Sequence, residues 1–248
     1  FLSNLEPRVQ PKNLDNKQLL LTDEERHWIA NNKVTIGIEH WPPILFMQDD
    51  NHPGGLAGEI LRQIIEKTGL QPEYVTGSWD DVLSQFKQGE IDLLPDAYFI
   101  EERKEYGYYS TPFFMVRELF YVKDKNTRFQ KNVDLSTANI AVSAGYTTID
   151  KIKSVYPNIK VIETSGIEES IEKVLSGEAD ALLDAQIVVD DWVEQNNVSG
   201  LRVIDEDIVF PPSLHLLSSK RKKTLQSILQ KGLDSIKASD LMNSNNDW

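Results

Sequence analysis

The sequence predicts an α/β protein of two similar lobes, each a mostly parallel sheet flanked by helices, joined by two crossover hinge strands. Three observations carry this. "QGEIDLLPD" (88–96) and "SGEADALLD" (176–184) are near copies half the chain apart, each a Gly-Glu, an apolar run and an aspartate seven residues after the glycine. Around each phrase, short apolar runs alternate with amphipathic helical patterns, an order that calls for parallel strands and crossover helices. Two further apolar runs, "RELFYVKDK" and "SLHLLSSK", stand where the chain would leave one lobe and return to it.

The elements follow in order. Residues 1–20 are polar and irregular, a loose lead-in. "LTDEERHWIANNK" reads as a short helix with Thr22 as N-cap, Glu25 completing a capping box and acids in the first turn. "VTIGIEH" is a strand. "GEILRQIIEKTG" sets Ile60, Leu61, Ile64 and Ile65 on one helical face and stops at Gly69. "PEYVTG" is a strand, and "SWDDVLSQFKQG" a helix begun by Ser78, packed through Val82, Leu83 and Phe86, and ended by Gly89. "IDLLPD" is then a buried strand. The second half repeats the scheme: strand "NIAVSAG", helix "TTIDKIKSVYP", strand "NIKVIET", helix "GIEESIEKVLSG" ending at Gly177, buried strand "ADALLD". "RKKTLQSILQKGLDSIK" is an amphipathic helix with Leu225, Ile228, Leu229 and Leu233 on its apolar side. If it packs on the first lobe, lobe 1 is 21–118 plus 214–248 and lobe 2 is 119–213. Each repeated phrase is thus a helix-stopping glycine and a central strand, with Asp96 and Asp184 expected where the strands leave the sheet. Ligands of open parallel sheets bind beyond those strand ends, so both aspartates are candidates for one crevice.

Composition narrows the partners. With 26 basic and 39 acidic side chains among 248 residues, the formal charge is −13. Such a chain repels phosphate backbones and anionic lipid, which argues against nucleic acid and membrane surfaces. There is no cysteine, hence no disulfide, thiolate metal site or thiol nucleophile. No apolar run reaches membrane-spanning length, and the first residues lack the pattern of a signal peptide. The four histidines are scattered, and no metal-ligand spacing, G-x-S-x-G or glycine-rich phosphate loop occurs. No cofactor, metal or catalytic residue is therefore assigned, and the chain reads as a binder.

"GIEHWPPI", "GGLAGEI", "GSWDDVLSQFKQGEIDLLPD", "EERKEYGYYSTPF", "AGYTT" and "GEADALLD", in this order over roughly residues 20–240, resemble the bacterial extracellular solute-binding proteins of family 3. These are two-lobed periplasmic-binding-protein folds, or Venus flytraps, that usually take amino acids. The resemblance implies that Arg103 grips a ligand carboxylate, a task suited to a guanidinium fork. It implies that Gly145, Tyr146 and Thr147 close over the same carboxylate from a helix start, and that Asp184 receives an ammonium group. Trp41 and Trp79 match positions where aromatic rings cover the ligand. Read without the resemblance, Arg103 is equally a solvated residue of a helix start, and Asp96 and Asp184 are equally strand-end caps.

Departures from the family pattern colour the ligand. Ile100 replaces the threonine that orients an α-amino acid, and Tyr98 stands where a small hydroxyl residue is common. Asp96 and Glu39 add carboxylates facing the tryptophans, which favours a cationic or amine-bearing ligand. The lead-in helix with its L-T-x-E-E-x-x-W pattern resembles those of extracytoplasmic (periplasmic) sensor modules, whose partner is a membrane-linked kinase or cyclase. The alternatives are a free receptor delivering amino acids to an ABC permease and a dehydratase-type enzyme on the same fold.

Overall fold

The computed structural model describes residues 19–129, 135–204 and 212–236. The lead-in reading of 1–20 and the polar C-terminal stretch lie almost wholly outside them. The first helix, α1 (Asp23–Asn31), carries the predicted capping box: Thr22 N–H donates to Glu25 Oε2 at 2.7 Å and Glu25 N–H to Thr22 Oγ1 at 3.2 Å. There follow β1 (Lys33–Ile38), a hairpin β2 (Phe46–Asp49) and β3 (His52–Gly54), α2 (Gly55–Thr68), β4 (Gln71–Thr76), α3 (Trp79–Gln88) and β5 (Leu93–Tyr98). A 3-10 turn at Glu101–Glu105 and the short strands β6 (Gly107–Tyr109) and β7 (Phe114–Met115) complete the first pass.

The chain then enters the second sheet through β8 (Glu118–Lys123). It builds β9 (Asn139–Ser143), α4 (Thr148–Val155), β10 (Lys160–Thr164), α5 (Ile167–Ser176), β11 (Ala181–Ala185), α6 (Gln186–Gln195) and β12 (Leu201–Ile204). It returns as β13 (Ser213–Ser219), and α7 (Lys223–Asp234) closes the described chain. The first sheet runs β4-β1-β5-β13-β6 with β7 on β13, and the second β10-β9-β11-β8-β12. In each, three strands are parallel and the hinge strand (β13 or β8) is antiparallel to the third. The result is the two-lobed fold expected from the repeated phrases.

One expectation needs correction. Asp96 does not lie where its strand leaves the sheet, because β13 continues the ladder beyond it, pairing Leu214 with Tyr98. Asp184 is followed in β11 by Ala185 alone. Period patterns also left the β2–β3 hairpin, α6 and β12 unread.

Packing explains the order of elements. Ile60, Leu61 and Ile64 of α2 meet Leu225, Ile228 and Leu229 of α7 on one face of the first sheet, while Val82, Leu83 and Phe86 of α3 cover the other. In the second lobe Ile149 and Ile152 of α4 pack on one face, Ile171 and Val174 of α5 on the opposite one. Lobe 1's core also takes in Ala185 and Val188, with Tyr146 and Ile167 against it, so the two lobes are closed on each other.

The phrase repeat has a second structural role. Asp92 Oδ2 accepts from Thr35 N–H at 2.9 Å and from Lys222 Nζ at 2.7 Å. Asp180 Oδ2 accepts from Asn139 N–H at 2.8 Å, and its Oδ1 faces Arg128 at 3.4 Å. Three residues after each stopping glycine, an aspartate therefore pins the start of the neighbouring strand and is neutralised by a distant cation.

α1 is fastened to α7 through one carboxylate. Glu25 accepts from Ser227 Oγ at 2.7 Å and Lys231 Nζ at 2.8 Å. Burial alone would raise its pKa, but these bonds and the Thr22 N–H overcome it and hold the carboxyl at about 2. Glu25→Ala is expected to cost about 1.5–3 kcal/mol, the range for hydrogen bonds to a charged group, as a lower urea midpoint at unchanged m-value.

Candidate ligand site between the lobes

The chain after β1 turns sharply at Trp41–Leu45, where Leu45 N–H donates to the Trp41 carbonyl at 2.9 Å, and this turn aims Glu39 and Trp41 into the cleft. β5 supplies Asp96 and Tyr98 from alternate positions on one face of the strand. α3 begins at Trp79. Arg103 sits in the 3-10 turn and is only 4% exposed, while Glu101, Glu102, Lys104 and Glu105 around it are exposed. The solvated-helix alternative for Arg103 is thereby excluded. From the other lobe come Tyr146 and Thr147 at the start of α4.

These eight side chains, Glu39, Trp41, Trp79, Asp96, Tyr98, Arg103, Tyr146 and Thr147, line one chamber of about 20 Å³. That is room for about one water. Tyr146 lines it from the second lobe, its ring edge-on to Trp41 with centroids 5.9 Å apart, and Trp41 meets Tyr98 the same way at 5.8 Å. Asp184 lines an adjoining outer crevice of about 1100 Å³ that shares Glu39, Trp41, Trp79 and Tyr146 with the chamber. Gly145 lines neither cavity. It has φ +76° and lies against the Asp80 carboxylate of the facing lobe, so close that any side chain at 145 would overlap it. Exposed His40 borders the outer crevice.

Electrostatics distinguish this site from an ordinary interface. Glu39, Asp96, Glu118 and Asp184 are all buried, against one arginine among the chamber's lining residues. Burial pushes Glu39 well above the usual carboxylate range, and repulsion from Asp96 and Asp184 adds to it, with Arg103 opposing. Burial raises Asp96 to about 7 despite its bond to Glu39 and the pull of Arg103. Asp96 Oδ2 has no geometric hydrogen-bond partner, and Glu39 and Asp96, both pushed up by burial, lie close enough to influence each other. Burial likewise lifts Asp184 to about 7, against the Ala185 N–H that donates to its Oδ1 at 2.7 Å. Glu118 is raised by burial and held by Thr148 Oγ1 at 2.8 Å, its other oxygen unpartnered. The buried Tyr98 hydroxyl faces Glu118 and Trp41 Nε1 faces Asp184, neither in full hydrogen-bond geometry.

Arg103 is already engaged. Its Nη1 donates to the Tyr98 carbonyl at 3.3 Å, and the guanidinium lies over the Trp79 ring at 5.0 Å from the centroid. Such a site can hold protons or bind a cation.

Sequence reasoning missed Glu118, Thr148 and Asp80. Glu118 was legible only as the one acid opening an otherwise apolar hinge strand, and Asp80 only as a first-turn acid of α3.

A profile for the bacterial extracellular solute-binding proteins, family 3, matches residues 34–248. Sensor protein EvgS of Escherichia coli (strain K12) is 24% identical over 239 residues, covering 94% of this chain and 20% of its own. The chain thus spans about a fifth of the length of the curated sensor relatives it matches. The crystal structure of the Bordetella pertussis BvgS periplasmic VFT2 domain superposes with a TM-score of 0.80 at 22% identity, covering 92% of this chain and 99% of that one. An ancestral arginine-binding protein bound to arginine gives 0.76 at 23% identity, with 87% and 97% covered. These structural likenesses establish the fold, and the profile match over most of the chain establishes the family: this chain belongs to the bacterial extracellular solute-binding proteins, family 3.

Proposed function

We propose that this domain is an extracytoplasmic, periplasmic sensor module that binds a small molecule between its lobes and couples lobe closure to a membrane-linked kinase or cyclase. The observation that carries the binding half is the chamber itself, built from Glu39, Asp96, Tyr98 and Arg103 of lobe 1 (21–118 plus 214–248) and Tyr146 and Thr147 of lobe 2 (119–213). Asp184 stands at its outer edge. The ligand of this reading bears an amine, its ammonium group seated among the acids, within the amino-acid-like class that the family pattern implies. The lead-in helix α1 and the likeness to EvgS and BvgS support the sensing half. Closure is driven only by contacts that the closed state makes better than the open one. No catalytic role is assigned to any residue.

A thermal-shift screen of amino acids, amines and small organic acids tests the binding half. A ligand at a hundred times its dissociation constant should add about 2.7 kcal/mol. At about 2–4 °C per kcal/mol that is a melting shift of roughly 5–10 °C. No shift from any class would refute it. The sensing half is tested by output: the ligand should change kinase or cyclase activity of the native membrane protein. A receptor for an ABC permease, favoured by the likeness to the arginine-binding protein, would instead support uptake and leave no such output.

A further inference from the structure

We propose that the cleft is built for an organic amine that carries no carboxylate, with Asp80 standing where an amino acid's carboxylate would go. This rests on the reading that the cleft binds a small molecule and names that molecule's class. Two features could accept a ligand carboxylate, and the protein's own oxygens already face both. Arg103 is bonded to the Tyr98 carbonyl, stacked on Trp79, and faces the Tyr106 and Tyr109 hydroxyls. The start of α4 is covered by Asp80, which reaches across from α3 onto Gly145; only a glycine admits that approach. A second carboxylate placed there would meet Asp80 as a like charge.

The remaining polar groups want the opposite charge. Glu39, Asp96, Asp184 and Glu118 are 8%, 3%, 4% and 6% exposed, and Asp96 Oδ2 and Glu118 Oε2 have no donor. Trp41, Tyr98 and Tyr146 add aromatic rings around them. Carboxylates among aromatic faces suit an ammonium or guanidinium group. In the closed molecule the chamber holds about 20 Å³, so the amine enters as lobe 2, with Tyr146, draws back, and then replaces the protons that the acids hold.

Matched pairs differing only by a carboxylate test this by calorimetry and thermal shift on the domain at pH 7.5: putrescine against ornithine, agmatine against arginine, tyramine against tyrosine. The expected result is that the amine of at least one pair binds and its amino acid binds at least tenfold more weakly, about 1.4 kcal/mol. Asp184→Asn should abolish that binding, and Asp80→Ala should narrow the gap by admitting the amino acid. An amino acid that binds as well as its amine overturns the proposal and leaves the binding cleft standing. Silence from every pair, in the wild type and in Tyr146→Ala, whose chamber is vacated, overturns both.

Discussion

Raising the pH from 6.5 to 8 lowers the thermal stability of this domain, and Asp184→Asn removes the share of that fall that Asp184 contributes. Asp184 and Asp96 have folded pKa values raised by burial to about 7, and Glu39 is raised further. The folded state therefore holds protons that the unfolded chain has released, and stability is lost as pH climbs from the ordinary carboxylate range through 7. For Asp184 alone the whole shift of about three units corresponds to on the order of 4 kcal/mol, most of it lost between pH 4 and 7; the part that falls between pH 6.5 and 8 is about 1 kcal/mol, roughly 2–4 °C in melting temperature. The groups facing these acids are Glu118, Arg103, Tyr98, Tyr146 and, over the Tyr98 ring, Lys151. Two other groups titrate outside the window. Glu25, with its lowered pKa, costs stability only in strong acid, as pH falls toward 2. His215, pushed down by burial, weakens the fold as pH drops below about 6.5. The comparison of wild type with Asp184→Asn cancels both. At pH 8 the variant should melt higher than the wild type. Equal curves for the two proteins would mean that Asp184 meets water, and hence that the lobes stand apart in solution.

The second large effect is at Arg103. Arg103→Gln removes the one cation among the chamber's lining side chains and leaves Glu39 and Asp96 without the charge that opposes their repulsion. The expected loss is about 3–5 kcal/mol at pH 8, the range for removing one partner of a buried charge set. It should shrink at pH 5, where Asp96, Asp184 and Glu39 are protonated. Guanidinium unfolding at both pH values reads it. A loss independent of pH would assign Arg103's contribution to its stacking on Trp79 and its bond to the Tyr98 carbonyl instead.

Much of this was legible beforehand, for identifiable reasons. The lobes came from period: Ile60, Leu61 and Ile64 have no arrangement but one helical face, and Gly69, Gly89 and Gly177 all end helices at left-handed φ. Every site residue except Gly145 and Asp184 reached the chamber. Family resemblance placed those residues, since nothing local distinguishes Arg103 from its exposed neighbours. The unread parts depend on pairs distant in sequence. The β2–β3 hairpin is too short to show alternation. Asp92 and Asp180 stood in plain view at the same offset in both phrases, yet their partners, Thr35 with Lys222 and Asn139 with Arg128, lie far away. Asp80 and Glu118 acquire meaning only when the opposite lobe arrives.

The Glu25 clamp gives the molecule a fixed side and a moving side. α1 and α7 are fastened to each other and to lobe 1, with Lys67 of α2 also donating to the Ser235 carbonyl at 3.0 Å. Lobe 2 hangs between two hinge passages, and none of its described residues joins the Glu25, Ser227 and Lys231 contacts. In the proposed binding cycle lobe 2 would be the arm that swings, and lobe 1 would feel the motion at the roots of β8 and β13 and where Ala185, Val188 and Tyr146 pack on its core. Whatever reads this domain through α1 or α7 would register that motion without being moved by the guest itself. Loosening Glu25 would put slack in the bearing while leaving the grip unchanged.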